Sequence, residues 1–328
     1  MTSNRYVNAP PSDHFDGKRF SNPNQIEPDR TFWDVLRWQA EGGRAEWPAF
    51  IPVVQAIPSL LCDQVRVTMV GHATTLIQFR GLNILTDPIW SPRASPIPFA
   101  GPHRVTAPGV LFENLPPIDY VLLSHNHYDH LDLKTLGRLH RSHAPLIVTP
   151  LGNDTIIRSR VPQARIWAGD WHDEFELGGG AKAVIVPANH WSARGTRDRR
   201  MALWSGFIIA HGGSSLYFAG DTGYCGGSIF RDIRARYGNQ SVGLLPIGAY
   251  EPRWFMAFQH VNPAEAVQIM EDVGARHALG IHWGTFRLTN ESRDAPKQAL
   301  AEARAQRGLS RRQFEAAEPG RVYEFEVA

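Results

Sequence analysis

The stretch Asp119-Tyr120-Val121-Leu122-Leu123-Ser124-His125-Asn126-His127-Tyr128-Asp129-His130-Leu131-Asp132 decides how this chain is read. It opens as a short apolar run of the kind that forms a buried strand. It then passes without a spacer into four potential metal ligands within six residues: His125, His127, Asp129 and His130. On an extended loop, His125 and His127 point the same way and can share one cation. Asp129 and His130 follow as a helical pattern from Leu133 to His140 is about to begin, and can face a second cation close by. Imidazole and carboxylate together suit zinc, with iron or manganese as alternatives. The bland alternative is a set of exposed loop histidines.

Two cations need more ligands than one loop supplies. Working outward, the sequence offers them just after other apolar runs: His190 after AVIVPAN, Asp221 after SLYFAG, and His282 after HALGI. Each has an ordinary reading of its own. His190 can be a plain loop residue, Asp221 a turn-former in Gly-Asp-Thr-Gly, and His282 a buried histidine with a partner.

The rest of the chain frames these positions. VRVTMV from Val65, then TLIQF and NILTD around Arg80-Gly81, read as strands with a hairpin. The Pro-rich segment from Pro88 to Pro117 is too long for a simple connection and is a candidate wall of a site. Asn262-Pro263-Ala264-Glu265 is a capping box with Pro at the first helical position, which predicts a helix to about Val273. A last helix near Ala295 to Arg307 and the strand VYEFEV close the chain. Strands outnumber helices, and helices are scattered between them, which predicts an α/β fold of two packed sheets with helices outside.

Residues 1–60 read as an N-terminal extension and residues 61–328 as the catalytic domain. The first 30 residues, rich in Asn, Pro, Asp and Ser, suggest an extended arm without a core of its own. Thr31 to Ala40 reads as a short helix with Phe32, Val35 and Leu36 on one face and Trp33 and Trp38 beside it. That face either packs on the core or meets lipid.

Composition excludes several classes. In 328 residues, 34 Lys and Arg stand against 32 Asp and Glu, so bulk charge calls for no nucleic acid partner. The two cysteines, Cys62 and Cys225, cannot build a disulfide framework. They read as reduced thiols, in keeping with a cytoplasmic protein. No basic start followed by an apolar run marks a secretory signal, and no stretch reaches the roughly 20 apolar residues that span a bilayer. Membrane contact is therefore expected to be peripheral.

The order H-x-H-x-D-H, then His, then Asp, then His resembles the metallo-β-lactamase superfamily, whose fold is an αββα sandwich. The resemblance implies that His125, His127 and His190 hold one zinc, that Asp129, His130 and His282 hold a second, and that Asp221 bridges them. A narrower resemblance runs from about Val65 to Asn290. It rests on VGHATTLIQF, LTDPIWSPRASP, PPIDYVLLSHNHYDHLD, FAGDTGYC, PIGAYEPRWFMAFQHVNPAEAV and IHWGTF, and points to the N-acylphosphatidylethanolamine-hydrolysing phospholipase D family. That implies hydrolysis of a phospholipid phosphodiester by water activated between two metals, and is compatible with a homodimer. It also implies His260 as the proton donor to the leaving oxygen and Asp129 as an orienting catalytic group. His72 and Asp87 become candidates for fixing ligand tautomers, and Phe99, Tyr250, Arg253 and Trp254 for touching substrate. At Pro98-Phe99 the chain departs from the Gln-Tyr pair of the animal members. Competing readings are a same-fold lactonase or cyclic phosphodiesterase acting on a soluble substrate, and a metal-binding sensor without turnover.

Overall fold

The computed structural model describes residues 3–24 and 29–326. Two seven-stranded sheets face each other. The first contains β1 (Val65–Gly71), β2 (Thr74–Phe79), β3 (Leu82–Thr86), β4 (Tyr120–Leu122), β5 (Leu146–Pro150), β6 (Arg165–Gly169) and, beside β1, the last strand β14 (Val322–Phe325). The second contains β7 (Glu174–Gly178), β8 (Ala181–Val186), β9 (Gly206–His211), β10 (Ser214–Phe218), β11 (Val242–Pro246), β12 (His277–Ile281) and β13 (Phe314–Ala316).

The period-2 alternation of strand side chains splits each sheet into an inner and an outer face. Val65, Val67, Met69, Ile77 and Phe79 from the first sheet meet Ala183, Ile185, Phe207, Ile209 and Phe218 from the second in one buried layer. The outer face of the second sheet packs Val184, Val186 and Tyr217 on helices α4 (Ser228–Tyr237), α6 (Pro263–Asp272) and α7 (Ala295–Gln306), with the short α5 (Arg253–Met256) between α4 and α6 in the chain. The outer face of the first packs Leu85, Val121 and Ile147 on α2 (Leu133–His143) and α3 (Asn153–Arg158). The result is the expected αββα sandwich.

Strand direction puts the chemistry in one place. β1 and β3 both run antiparallel to β2, and β4 is parallel to β3. β8 and β10 both run antiparallel to β9, and β11 and β12 continue parallel to β10. Each residue of interest lies just past the C-terminal end of one of these co-directional strands. His72 follows β1, Asp87 follows β3, His125 follows β4, His190 follows β8, Asp221 follows β10 and His282 follows β12.

Before β1 the chain wraps the sandwich. Phe15 and Phe20 are buried with Ala188, Leu203 and Trp204. Helix α1 (Phe32–Glu41) begins one residue later than predicted, because Thr31 is its cap and shares a capping box with Asp34. Trp38 donates to Asn290 Oδ1 at 2.9 Å and packs on Phe255. The side chain of Phe32 lies outside the described residues. Among the described residues no helix is long and apolar enough to cross a membrane.

Candidate metal centre

His125 to His130 form a turn rather than the start of a helix. His130 N–H donates to His127 C=O at 3.1 Å, and α2 begins only at Leu133, capped by Asp132. The tight turn brings all four side chains to one side, which an extended loop running into a helix would not do.

Two groups of donors result. In the first, His127 Nδ1 lies 2.9 Å from His125 Nε2 and 3.2 Å from His190 Nε2. In the second, Asp129 Oδ2 lies 3.4 Å from both His130 Nε2 and His282 Nε2. Asp221 stands between them. Its Oδ2 is 3.2 Å from His130 Nε2 and 3.8 Å from His190 Nε2, while its Oδ1 is 3.3 Å from His282 Nε2. Tetrahedral ligands about 2.0–2.1 Å from a zinc ion would stand ~3.3 Å apart, so the spacing fits such an ion.

Hydrogen bonding agrees. His130 Nε2, His282 Nε2 and Asp221 Oδ1 are buried without a hydrogen-bond partner among the described residues, an arrangement that is costly unless something else pairs with them. Meanwhile the far nitrogens are held. His125 Nδ1 pairs with Ser124 Oγ at 2.9 Å, His130 Nδ1 with Asp87 Oδ2 at 2.6 Å, and His190 Nδ1 with Gln259 C=O at 3.0 Å. Each bond fixes a tautomer whose Nε2 lone pair faces the cluster.

The electrostatics are divided in the same way. Burial, aided by neighbouring imidazoles, pushes His125 well below its ordinary pKa, and burial takes His127 and His190 down to about 3, so all three are neutral imidazoles at pH 7. Burial also opposes charge on His130 and His282, but Asp221 and Asp129 outweigh it. His130 is driven well up and His282 to about 9. For Asp129 and Asp221 burial raises the pKa, yet the same imidazoles hold both well below the carboxylate range. Two buried carboxylates here demand positive charge, and the donor set suits a metal.

His72 Nε2–H donates to Asp129 Oδ2 at 2.9 Å, and its C=O accepts from His282 N–H at 2.7 Å. His72 and His282 both hold left-handed backbones, φ 57° and 62°, strain of the kind that gathers at functional sites. Beside Asp221, Gly220 (φ +61°) has no room for a Cβ, which would come within 2.9 Å of Ser124 Cβ. His260 Nδ1 is 3.8 Å from Asp221 Oδ2, in a loop that Arg253 holds by donating to His260 C=O at 2.9 Å.

The expected substrate contacts are more scattered. The Arg253 guanidinium is engaged by both oxygens of Glu265 at 2.9 and 2.8 Å, which leaves it supporting the His260 loop rather than facing a phosphate. Trp254 donates to Glu41 and carries Arg37 over its ring, so it docks α1. Tyr250 is buried, and Phe99 is 81% exposed on the Pro-rich segment. That segment and the start of α2 enclose a cavity of about 540 Å³, lined by Arg93, Ile97, Tyr128, Lys134, Ile156 and Arg160 among others.

Sequence reasoning passed over Ser124, although it stands directly before His125, and Asn22. Asn22 Oδ1 accepts from His190 N–H at 2.9 Å and from Trp204 Nε1 at 3.1 Å. No local signal marks Asn22, because its partners lie far along the chain.

Comparison with known proteins gives a consistent picture. The family profile described as "Beta-lactamase superfamily domain" matches residues 82–283. N-acyl-phosphatidylethanolamine-hydrolyzing phospholipase D 1 of Caenorhabditis elegans is 36% identical over 267 residues, 78% of this chain and 75% of that protein. The mitochondrial N-acyl-phosphatidylethanolamine-hydrolyzing phospholipase D of Saccharomyces cerevisiae is 35% identical over 238 residues, 71% of this chain and 50% of that protein. Among solved structures, Igni18, a metallo hydrolase of Ignicoccus hospitalis, is similar in fold. Its TM-score is 0.60 at 20% identity, with 81% of this chain and 100% of that one covered.

Proposed function

The chain belongs to the metallo-β-lactamase superfamily and, within it, to the N-acylphosphatidylethanolamine-hydrolysing phospholipase D family, and from that premise we propose a dinuclear zinc phosphodiesterase acting on a phospholipid. The preferred substrate is N-acylphosphatidylethanolamine, hydrolysed to N-acylethanolamine and phosphatidic acid. The observation that carries the reading is Asp221, whose carboxylate reaches both donor groups at once.

His125, His127 and His190 would hold one ion, and Asp129, His130 and His282 the other, with Asp221 common to both. Zinc bound there supplies Lewis-acid stabilisation of phosphate charge and lowers the pKa of water toward neutrality. The protein's own part is to hold those ligands in fixed tautomers, to orient the nucleophile through Asp129, and to meet the leaving group. Water adds its hydroxyl to phosphorus, the bond to the ethanolamide oxygen breaks, and that oxygen ends with the proton that the water gives up. Burial pushes His260 down to about 3, so it is neutral at pH 7. It therefore acts on the leaving oxygen as a neutral imidazole N–H donor, a role known for histidine elsewhere.

Exposed Trp33 on α1 and Phe99 on the Pro-rich segment supply apolar points for peripheral contact with a bilayer by a cytoplasmic enzyme. The test is metal analysis by emission spectroscopy with a lipid-product assay on the same sample. Two zinc per chain and release of N-acylethanolamine are expected. Turnover of a lactone without that product would move the activity to a soluble substrate.

A further inference from the structure

Both donor groups lead back to one carboxylate. Asp87 is fully buried at the end of β3, where Leu122 C=O accepts from its N–H at 3.0 Å and Thr74 Oγ1 donates to its C=O at 2.7 Å. Its Oδ1 accepts Ser124 N–H at 2.7 Å. Its Oδ2 accepts both His130 Nδ1–H and the Ser124 hydroxyl, each at 2.6 Å. A hydroxyl has one proton, and Ser124 gives it to the carboxylate. What remains toward His125 Nδ1, at 2.9 Å, is a lone pair, so that nitrogen must bring the hydrogen.

We propose that Ser124 is a positioning residue that relays Asp87 to His125, so that a single carboxylate sets the proton on one imidazole in each donor group. The inference rests on the metal-binding reading above. Asp87 reaches the second group directly through His130 and the first only through Ser124. Among the described residues no other hydrogen bond holds His125 Nδ1, and the imidazole is 1% exposed, so solvent cannot replace the hydroxyl. Without it His125 is free to carry its proton on Nε2, the atom that faces His127 Nδ1 at 2.9 Å, and that tautomer cannot ligate.

The test is Ser124→Ala, which keeps the backbone bond to Asp87 and the Asp87 to His130 pair. In metal-free protein labelled with ¹⁵N-histidine, the His125 ring nitrogens of the wild type should report a single Nδ1–H tautomer. The variant should report a mixture, with His130 unchanged. In zinc titrations against a chelating indicator, one equivalent should weaken by roughly 10–100-fold, the usual effect of removing such a partner, and the other should stay near its wild-type value. An unchanged His125 tautomer, or equal weakening of both equivalents, overturns the relay. A wild type that binds no zinc at all would instead overturn the metal reading, and the nitrogen spectra would still decide the role of Ser124.

Discussion

His130 Nδ1 lies 2.6 Å from Asp87 Oδ2, with both side chains fully buried, so an imidazole of the candidate centre is oriented by a carboxylate at the end of a neighbouring strand. Asp87→Asn keeps the shape but offers an amide where Oδ2 or Oδ1 now accepts. Zinc affinity should fall by roughly 10–100-fold with little change in near-UV circular dichroism. Wild-type affinity in a chelator competition would remove Asp87 from this role.

Asp221 is the carboxylate common to both donor groups. Asp221→Asn and His127→Ala are each expected to lower bound metal and abolish lipid hydrolysis while the fold survives, measured by emission spectroscopy and circular dichroism. Full activity with one metal or none in either variant would end the two-metal mechanism.

His260 contacts the cluster without belonging to either principal donor group, so its removal should separate chemistry from metal binding. His260→Ala should retain its metal and lose about 10²–10⁴-fold in kcat, the span typical of a proton-handling group. Loss of metal in parallel with activity would make His260 a ligand instead.

His14, in the N-terminal arm, provides a pH signature away from the metal centre. Burial pulls its pKa down, but hydrogen bonds to Asp170 at 2.8 Å and Asp13 at 2.6 Å raise it above the ordinary 6.5. A raised folded pKa means that the charged form is favoured by folding. Its stabilisation is complete below about pH 6.5 and is lost as pH rises through the folded value. In urea denaturation, the gap between wild type and His14→Gln should therefore be widest below the ordinary histidine pKa of 6.5 and shrink as pH rises above it. A gap that grows with pH would contradict the assignment.

Asn22→Ala removes the acceptor of the His190 N–H, a buried donor with no other partner among the described residues, whereas Trp204 Nε1 keeps its bond to Ala188 C=O at 2.9 Å. A loss of about 1–3 kcal/mol in unfolding free energy is expected. Zinc should also leave faster to a chelator. Equal stability would show that the loop carrying His190 is held by its remaining contacts.

The sandwich and the donor set were legible because apolar strands ending in His or Asp leave a local mark, as at His125, Asp221 and His282. The capping box at Asn262 and the hairpin turn at Arg80-Gly81 were legible for the same reason. Helix α4 was not, since Ser228–Tyr237 follows the glycine pair Gly226-Gly227 and carries a charged outer face with only Ile229, Phe230 and Ile233 buried. Arg253 and Trp254 were ambiguous because no pattern near them names Glu265 or Glu41 as partners. Phe15 and Phe20 sit in a polar stretch, and their burial depends on Trp204 and Leu203, far beyond the reach of any sequence window.

The binding of residues 4–22 to the segment around His190 sets an order of events at the ribosome. Asn4 Nδ2 cannot donate to Met201 C=O, nor Asn22 Oδ1 accept from His190 N–H and Trp204 Nε1, until those residues have been made. Residues 4–22 are thus among the last to settle, and they must stay solvated until the segment that carries His190, Met201 and Trp204 has been translated. Their abundance of Asn, Pro, Asp and Ser, poor material for a core, is well suited to that wait.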